Sequence, residues 1–258
     1  MTRPPISVLL PTFNCAKSVR ATLESVKWAD EILVVDSFST DDTVEVCREY
    51  GARVIQHEYL NSAKQKNWAV PQCRHEWVLQ IDSDEVLSDE LRHEIENIVN
   101  VVPPETHAFR MARRNHMLGR WIRFGGTFPD YQIRLIRRDF ARWREREVHA
   151  HINVPGEIDT LRHHILHYDI PSIAKPLRNL DRYTRYEADE LRKNGHAFRW
   201  HHLLLRPPGV FLYRFIWLQG FRDGWRGLIV CAYWSIYVFL TRAKLWELDE
   251  LQLEQSPR

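Results

Sequence analysis

The residues with the clearest chemical potential are Asp82, Asp84 and Glu85, three carboxylates within four positions. They close the largely apolar run Trp77-Val78-Leu79-Gln80-Ile81, which reads as a buried strand. Buried carboxylates this close repel one another and lose hydration, so they need a compensating cation. A divalent, oxygen-loving ion such as Mg²⁺ or Mn²⁺ supplies that compensation and bridges readily to a diphosphate. The chemistry implied is a metal–nucleotide site at the end of a central strand. The plain alternative for an Asp-x-Asp taken alone is a solvated turn leading into a helix.

The elements that must position this site can be read from the N-terminus onward. Ile6 to Leu10 predicts a first strand, ended by Pro11. Asn14 can cap a helix in which Val19, Leu23 and Val26 recur at helical spacing. Glu31 to Asp36 is a second strand, again ending in a carboxylate. Ser39 with Asp42 matches a capping box, and Gly51 marks the helix stop. Ala52 to Gln56 is a short third strand, Asn61 or Ser62 opens a helix through Lys64, Lys66 and Asn67, and Trp77 to Asp82 is the fourth strand. Strands alternating with helices over short links predict a mostly parallel α/β sheet flanked by helices. In such sheets ligands sit at the C-terminal strand ends, where Asp36 and Asp82 lie and where Thr12 can join them. Pro11-Thr12-Phe13-Asn14 has no glycine and no P-loop pattern exists, so phosphates fall to a metal and basic side chains.

The second half is less regular. Ser88 can cap a helix burying Leu91, Ile95 and Ile98, and Pro103-Pro104 ends the first half. His107 to Arg113 predicts a strand, and Gly119 to Pro129 a loop rich in aromatics and arginine, followed at once by Asp130. Alternation predicts strands around Ile133 and Leu135 and from Val148 to Val154; helical spacing returns from Ile173 to Lys193. The expected organisation is one α/β domain over residues 1–170, with a nucleotide-binding half (1–102) and an acceptor half (103–170). A helical, aromatic and basic region over 171–258 follows. Pro207 to Leu240 is crowded with apolar and aromatic residues but interrupted by Arg214, Arg222, Asp223 and Arg226. Its longest charge-free run, Gly227 to Thr241, has 15 residues. A spanning helix needs roughly 17–25, so the expectation is contact with a membrane surface; the alternative is packing of these aromatics as ordinary core.

Charge is divided unevenly. Residues 1–100 hold 10 basic and 17 acidic residues, residues 101–258 hold 26 and 17, and 23 of those 26 are arginine. An acidic front and a basic back suit a metal-binding half and a half that meets anions such as phosphates or lipid headgroups. No nucleic-acid-binding signature accompanies the charge. Cys15, Cys47, Cys73 and Cys231 lack C-x-x-C spacing, which fits a reducing compartment, and no secretory signal precedes the first strand.

Taken together, Ser7 to Asn14, Val35 to Asp41, Gln65-Lys66-Asn67 and Asp82 to Glu85 resemble a family-2 glycosyltransferase of the GT-A fold. Pro129 to Leu135, Val148-His149 and the aromatic C-terminal segment are similar to the bacterial branch containing the lipopolysaccharide core β-glucosyltransferases. The chain departs from that branch at His149-Ala150, where His-Glu is usual. The resemblance implies an inverting hexosyl transfer from a nucleotide sugar, UDP favoured, to a glycolipid or lipopolysaccharide core acceptor. It also implies a Mg²⁺ or Mn²⁺ ion and a cytoplasmic enzyme held at the inner face of the plasma membrane. Residue by residue, Thr12 and Asp36 would contact base and ribose, with Pro11, Asn14 and Ser83 around the nucleotide. Lys66 would lie near base or phosphate, Asp82 would hold the ribose or support the metal, and Asp84 would bind it. Asp130 would be the catalytic base. His149 or His167 would complete the metal site, against the alternative of structural histidines. Part of the acceptor could stack on Trp121 or Phe128, and Arg134 could meet an acceptor phosphate or face outward. Two other classes stay open on the sequence: a sugar-nucleotide nucleotidyltransferase, and a non-catalytic membrane-bound binding protein on a transferase scaffold.

Overall fold

The computed structural model describes residues 3–144, 152–170 and 173–255. Its first part alternates as expected: β1 (Ile6–Thr12), α1 (Ala16–Val26), β2 (Glu31–Asp36), α2 (Thr43–Glu49), β3 (Arg53–Gln56), α3 (Ser62–Ala69) and β4 (Trp77–Gln80). β1 lies between β2 and β4, all parallel, with Thr12 beside Asp36 and Leu9 beside Gln80. The C-terminal ends of these strands therefore come side by side. β1 runs through Pro11 rather than stopping there. Leu9 accepts a hydrogen bond from the Ile81 amide, whereas Thr12 accepts one from Ser37, so odd positions of β1 face β4. Pro11 faces that side beyond the end of β4, where a missing N–H costs nothing.

β5 (Glu85–Leu87), α4 (Asp89–Ile98), β6 (Thr106–Met117), β7 (Arg120–Trp121), β8 (Asp130–Arg137), β9 (Arg142–Trp143), β10 (Ile152–Asn153) and β11 (Glu157–Ile170) follow. The main sheet has nine strands in the order β3-β2-β1-β4-β8-β6-β11-β5, with β7 on β6. The β4–β8, β8–β6 and β11–β5 pairs are antiparallel. β5 thus sits four strands from β4, although only a tight turn separates them, closed by the Glu85 amide on the Asp82 carbonyl. Two extended residues and a β-turn reach about 14 Å, whereas four flat strand spacings need about 19 Å. The sheet must curl, and the curl carries β6, β8 and β11 round the carboxylate turn. β11 was not legible in the sequence because, among its described side chains, only Leu161 and Ile165 enter the core. The strand expected from Val148 to Val154 lies mostly outside the described residues; its described part, β10, pairs with β9.

Alternation divides the sheet residues between two cores. Ile6, Val8, Leu10, Leu79 and Phe109 pack with Val19, Leu23 and Val26 of α1 and with Leu91 and Ile95 of α4. Leu9, Leu33, Val35, Val78 and Ile136 pack on the other face with Ala63, Ala69 and Trp143. Ser88 caps α4 and Asn61 caps α3, as their positions predicted.

The chain divides into two compact units, Met1–Arg114 with Asp130–Asp169, and Asn115–Pro129 with Ile170–Arg258. The loop before Asp130 therefore groups with the C-terminal helices, not with the expected acceptor half. In the second unit α5 (Ala174–Lys193) and α6 (Trp200–Leu212) pack on α7 (Gly224–Gln255). The charges that interrupt the apolar segment hold the loop. Asp223 accepts from the Arg123 and Phe124 amides at 2.9 and 2.8 Å. Arg214 donates to the Gly125 carbonyl at 2.6 Å, and Arg226 to that of Leu118 at 3.0 Å. Residues 220–250 form a helical stretch long and apolar enough to cross a membrane by length and composition, its most apolar window only 28% buried. Counting only charge-free residues understated the length of this apolar stretch.

Candidate active site

The first strand-end group is Thr12 with Asp36. Their parallel register lets the Thr12 hydroxyl donate to Asp36 Oδ1 at 3.0 Å. Asp36 is fully buried and also accepts from the Ser39 hydroxyl at 2.5 Å, the Ser39 amide at 2.8 Å and Gln56 Nε2 at 3.3 Å. The carboxylate anchors the loop after β2. Asn14, in a left-handed conformation at φ 45°, does not cap α1. Its side-chain oxygen accepts from the Thr40 amide, and its own amide donates to Ser39 Oγ. The N-terminus of α1 is served instead by Asp41 and Thr43 from the neighbouring loop. The Ser39–Asp42 box does not form either: Asp42 makes no side-chain cap bond to α2, because Ser39 is committed to Asp36 and Asn14. Ser83 joins this edge through a hydrogen bond to the Cys15 thiol, whose pKa burial pushes up.

The second group surrounds the carboxylate turn. Asp82 accepts from Arg134 Nη2 at 2.6 Å and from Gln80 Nε2 at 2.9 Å, with Lys66 Nζ 3.9 Å away. Burial alone would push the Asp82 carboxyl up, but Arg134 and Lys66 reverse this and hold it well below the usual carboxylate range. The same burial pulls the Lys66 ammonium below its ordinary value, opposed by Asp82. Glu85 has no exposed surface. Its Oε1 accepts from Arg134 at 2.5 Å and Arg113 at 3.2 Å, and its Oε2 from the Asp82 amide at 3.0 Å. Arg113 then donates twice to Asp130 Oδ2, at 2.9 and 2.7 Å, while Gln132 donates to Oδ1 at 2.8 Å. Arg113 and Asp130 meet because they are directly opposite in the β6–β8 register.

Arg134 and Lys66 lie against Asp82, and Arg134 and Arg113 against Glu85, so cationic side chains share in compensating the acidic turn. Arg134, expected near an acceptor phosphate, is 4% exposed and turned inward to Asp82, Glu85 and Gln80. Arg137 and Arg138 are likewise occupied, by Glu76 and by Asp139. Asp82, expected among the metal ligands, has one oxygen on Arg134 and the other on Gln80.

Asp84 differs. His167 Nε2 of β11 lies 3.5 Å from Asp84 Oδ1, and the Tyr168 amide donates to the Asp84 carbonyl. Of the two candidate histidines, His167 is placed beside the carboxylate, and His149 lies outside the described residues. Among the described residues no three His, Cys, Asp or Glu side chains form a cage for an ion. A carboxylate with an imidazole fits an ion that takes its remaining ligands from water and substrate phosphates, as Mg²⁺ does.

Trp121 and Phe128 belong to the second unit, where their rings meet edge to edge-face at 5.3 Å. Sequence reasoning assigned no site role to Arg113 and Gln132, which required the strand register; Glu85 was marked only by its place in the acidic turn, and Ser39 was read only as a helix cap.

The chain matches the family description Glycosyl transferase family 2 over residues 7–156. It belongs to glycosyl transferase family 2. As a member it is a glycosyltransferase of the α/β, GT-A type expected from its motifs. It is 28% identical to the lipopolysaccharide core biosynthesis glycosyltransferase LpsC of Rhizobium meliloti (strain 1021), across 96% of this chain and 94% of LpsC. An uncharacterised glycosyltransferase of Rickettsia typhi is 30% identical over 95% of this chain and 87% of its own. A solved structure, glucosyl-3-phosphoglycerate synthase from Mycobacterium tuberculosis in complex with Mn²⁺, UDP-glucose and phosphoglyceric acid, aligns with 22% identity and a TM-score of 0.38. That alignment covers 43% of this chain and 44% of the synthase.

Proposed function

We propose that this glycosyltransferase inverts configuration while moving a hexose such as glucose from a UDP-sugar to a lipopolysaccharide core or related glycolipid, with Asp130 as general base. The observation that carries this reading is the tie from Asp130 through Arg113 and Glu85 to the cluster holding Asp82 and Lys66. Direct displacement needs one carboxylate to take the acceptor hydroxyl's proton as the new bond forms. An aspartate clamped by a guanidinium is a modest base, but it is ionised at neutral pH and fixed in direction. Lys66, largely buried beside Asp82, offers a cation to the donor's phosphates. Thr12, Asp36 and Asn14 shape the strand-end loops, with Pro11 and Ser83, against which the nucleoside rests. When bound, a Mg²⁺ or Mn²⁺ ion held by Asp84 and His167 would neutralise charge on the departing diphosphate as a Lewis acid.

The acceptor class is supported by the near-complete overlap with LpsC. Membrane association is supported by the outward apolar side chains of α6, α7 and the turn between them, including Trp200, Leu205, Trp217 and Trp225. A cytoplasmic site at the inner face of the plasma membrane follows, since nucleotide sugars and the growing glycolipid would meet there. A nucleotidyltransferase or a non-catalytic scaffold is disfavoured by the family match and by the assembled cluster. Release of UDP from UDP-glucose in the presence of a core glycolipid tests the reading. Asp130→Asn should lower kcat by roughly 10²–10⁴-fold with folding unchanged; near-wild-type turnover refutes the assignment.

A further inference from the structure

We infer that Arg113 is a positioning residue for the transfer step, holding the Asp130 carboxylate in its working orientation from an anchor on buried Glu85. The inference rests on the reading of Asp130 as the base. It begins with the two donor sets of one side chain. Nε and Nη2 of Arg113 both reach Asp130 Oδ2, and Nη1 reaches Glu85 Oε1 at 3.2 Å. A guanidinium is a rigid plane, so contact with two carboxylates fixes its position and its rotation together. Glu85 cannot follow Asp130 if the latter drifts. Glu85 is itself pinned by Arg134 through Oε1 and by the Asp82 amide through Oε2.

Position in the sheet explains why Asp130 needs such a support. It is the first residue of β8, at a strand end that directly follows the loop Asn115–Pro129. Strand ends are held by fewer ladder bonds than strand centres and move more easily. Arg113 lies directly across the ladder on β6, and Gln132, two residues along the same face, holds the other oxygen at 2.8 Å. The Arg113 side chain is only 19% exposed, so solvent competes weakly for it. Among the described residues, Arg113 on β6 contacts the Asp130 carboxylate, Glu85 on β5 is reached through Arg113, and Arg134 on β8 is reached through Glu85. Asp82 and Lys66 lie beyond Arg134. Arg113 is the cation of this set in contact with the Asp130 carboxylate.

The experiment compares Arg113→Met, Arg113→Lys and Asp130→Asn in the full chain, with UDP-glucose and core glycolipid, measuring kcat, both KM values and the pH profile of kcat/KM. Loss of the clamp should lower kcat in Arg113→Met by about 10²-fold, the cost of a misplaced group, with donor KM unchanged. The acid limb of the profile should move up by about 1–3 pH units, because a neighbouring guanidinium favours the ionised carboxylate. Arg113→Lys should restore the limb, since charge returns, but recover kcat only in part, since the planar fork does not. Thermal unfolding of each variant checks that Glu85, still paired with Arg134, keeps the fold. An inactive Asp130→Asn alongside an Arg113→Met with wild-type kcat and an unmoved limb overturns this inference and leaves the base assignment standing. A raised donor KM at unchanged kcat also overturns it, because Arg113 would then bind the donor. An active Asp130→Asn removes the base assignment itself.

Discussion

Arg134→Met removes the guanidinium that two carboxylates share. The residue is 4% exposed, and methionine matches its length without its charge. Removing one partner of a buried ion pair costs about 3–5 kcal/mol, because the other charge stays behind. Here two remain, but unequally. The Asp82 side chain is 36% exposed, so water screens it and its share is small. Glu85 is fully buried and keeps the 3.2 Å contact with Arg113 and the 3.0 Å bond from the Asp82 amide. The cost therefore falls mainly on Glu85 and should be near the lower end, about 3 kcal/mol. The pH dependence has a defined sign. In the wild type the folded Asp82 carboxyl is depressed, so its contribution is present above the unfolded pKa, near 4, and is lost as pH falls through the folded value. In the variant Asp82 loses Arg134, the strongest of the groups that hold its carboxyl down, so the deficit relative to wild type is full at neutral pH and shrinks on acidification below about 4. Urea unfolding followed by circular dichroism at pH 7 and about pH 3 measures both effects. A variant within about 0.5 kcal/mol of wild type at pH 7, or one whose deficit grows on acidification, would refute the compensation argument.

Four further outcomes follow from the geometry. Asp84→Ala and His167→Ala should each weaken Mn²⁺-dependent binding of UDP in calorimetry, Asp84→Ala the more, and unchanged affinity in both removes the metal assignment. Asp36→Asn turns an acceptor of four hydrogen bonds partly into a donor facing the Ser39 amide; it should destabilise the protein by about 1–3 kcal/mol in chemical unfolding. Asp223→Ala should speed hydrogen exchange at the Arg123 and Phe124 amides that it accepts from, while exchange in β1 and β4 stays at the wild-type rate. Replacing the exposed Trp217 and Trp225 by serine should lower co-sedimentation with anionic vesicles without altering the circular dichroism spectrum; equal sedimentation argues against the membrane role.

Legibility varied with the range of the interaction. Asn61 and Ser88 cap their helices as read, because a cap depends on residues three apart in the chain. Asn14 and Ser39 carry equally good cap signals and do neither job. The parallel register sets their loops side by side, and each finds a partner across that gap. The acidic turn was legible as a place of concentrated charge. Its compensation by Arg134 and Arg113 was not, since both lie far along the chain on strands that reach the turn only when the sheet curls. The long strand β11 escaped notice because two core residues among its described side chains do not make a pattern.

The order of strands and helices, the carboxylates at their ends and the family were properties of the chain itself. They rest on periodicity and on short motifs, which local sterics and burial impose residue by residue. Which cation meets which carboxylate was decided only by folding. An ion pair needs two groups within a few ångströms, and sequence distance does not report spatial distance across a curled sheet. The tertiary structure thus turned Arg134 inward to Asp82 and Glu85, set Arg113 across from Asp130 and brought His167 to Asp84.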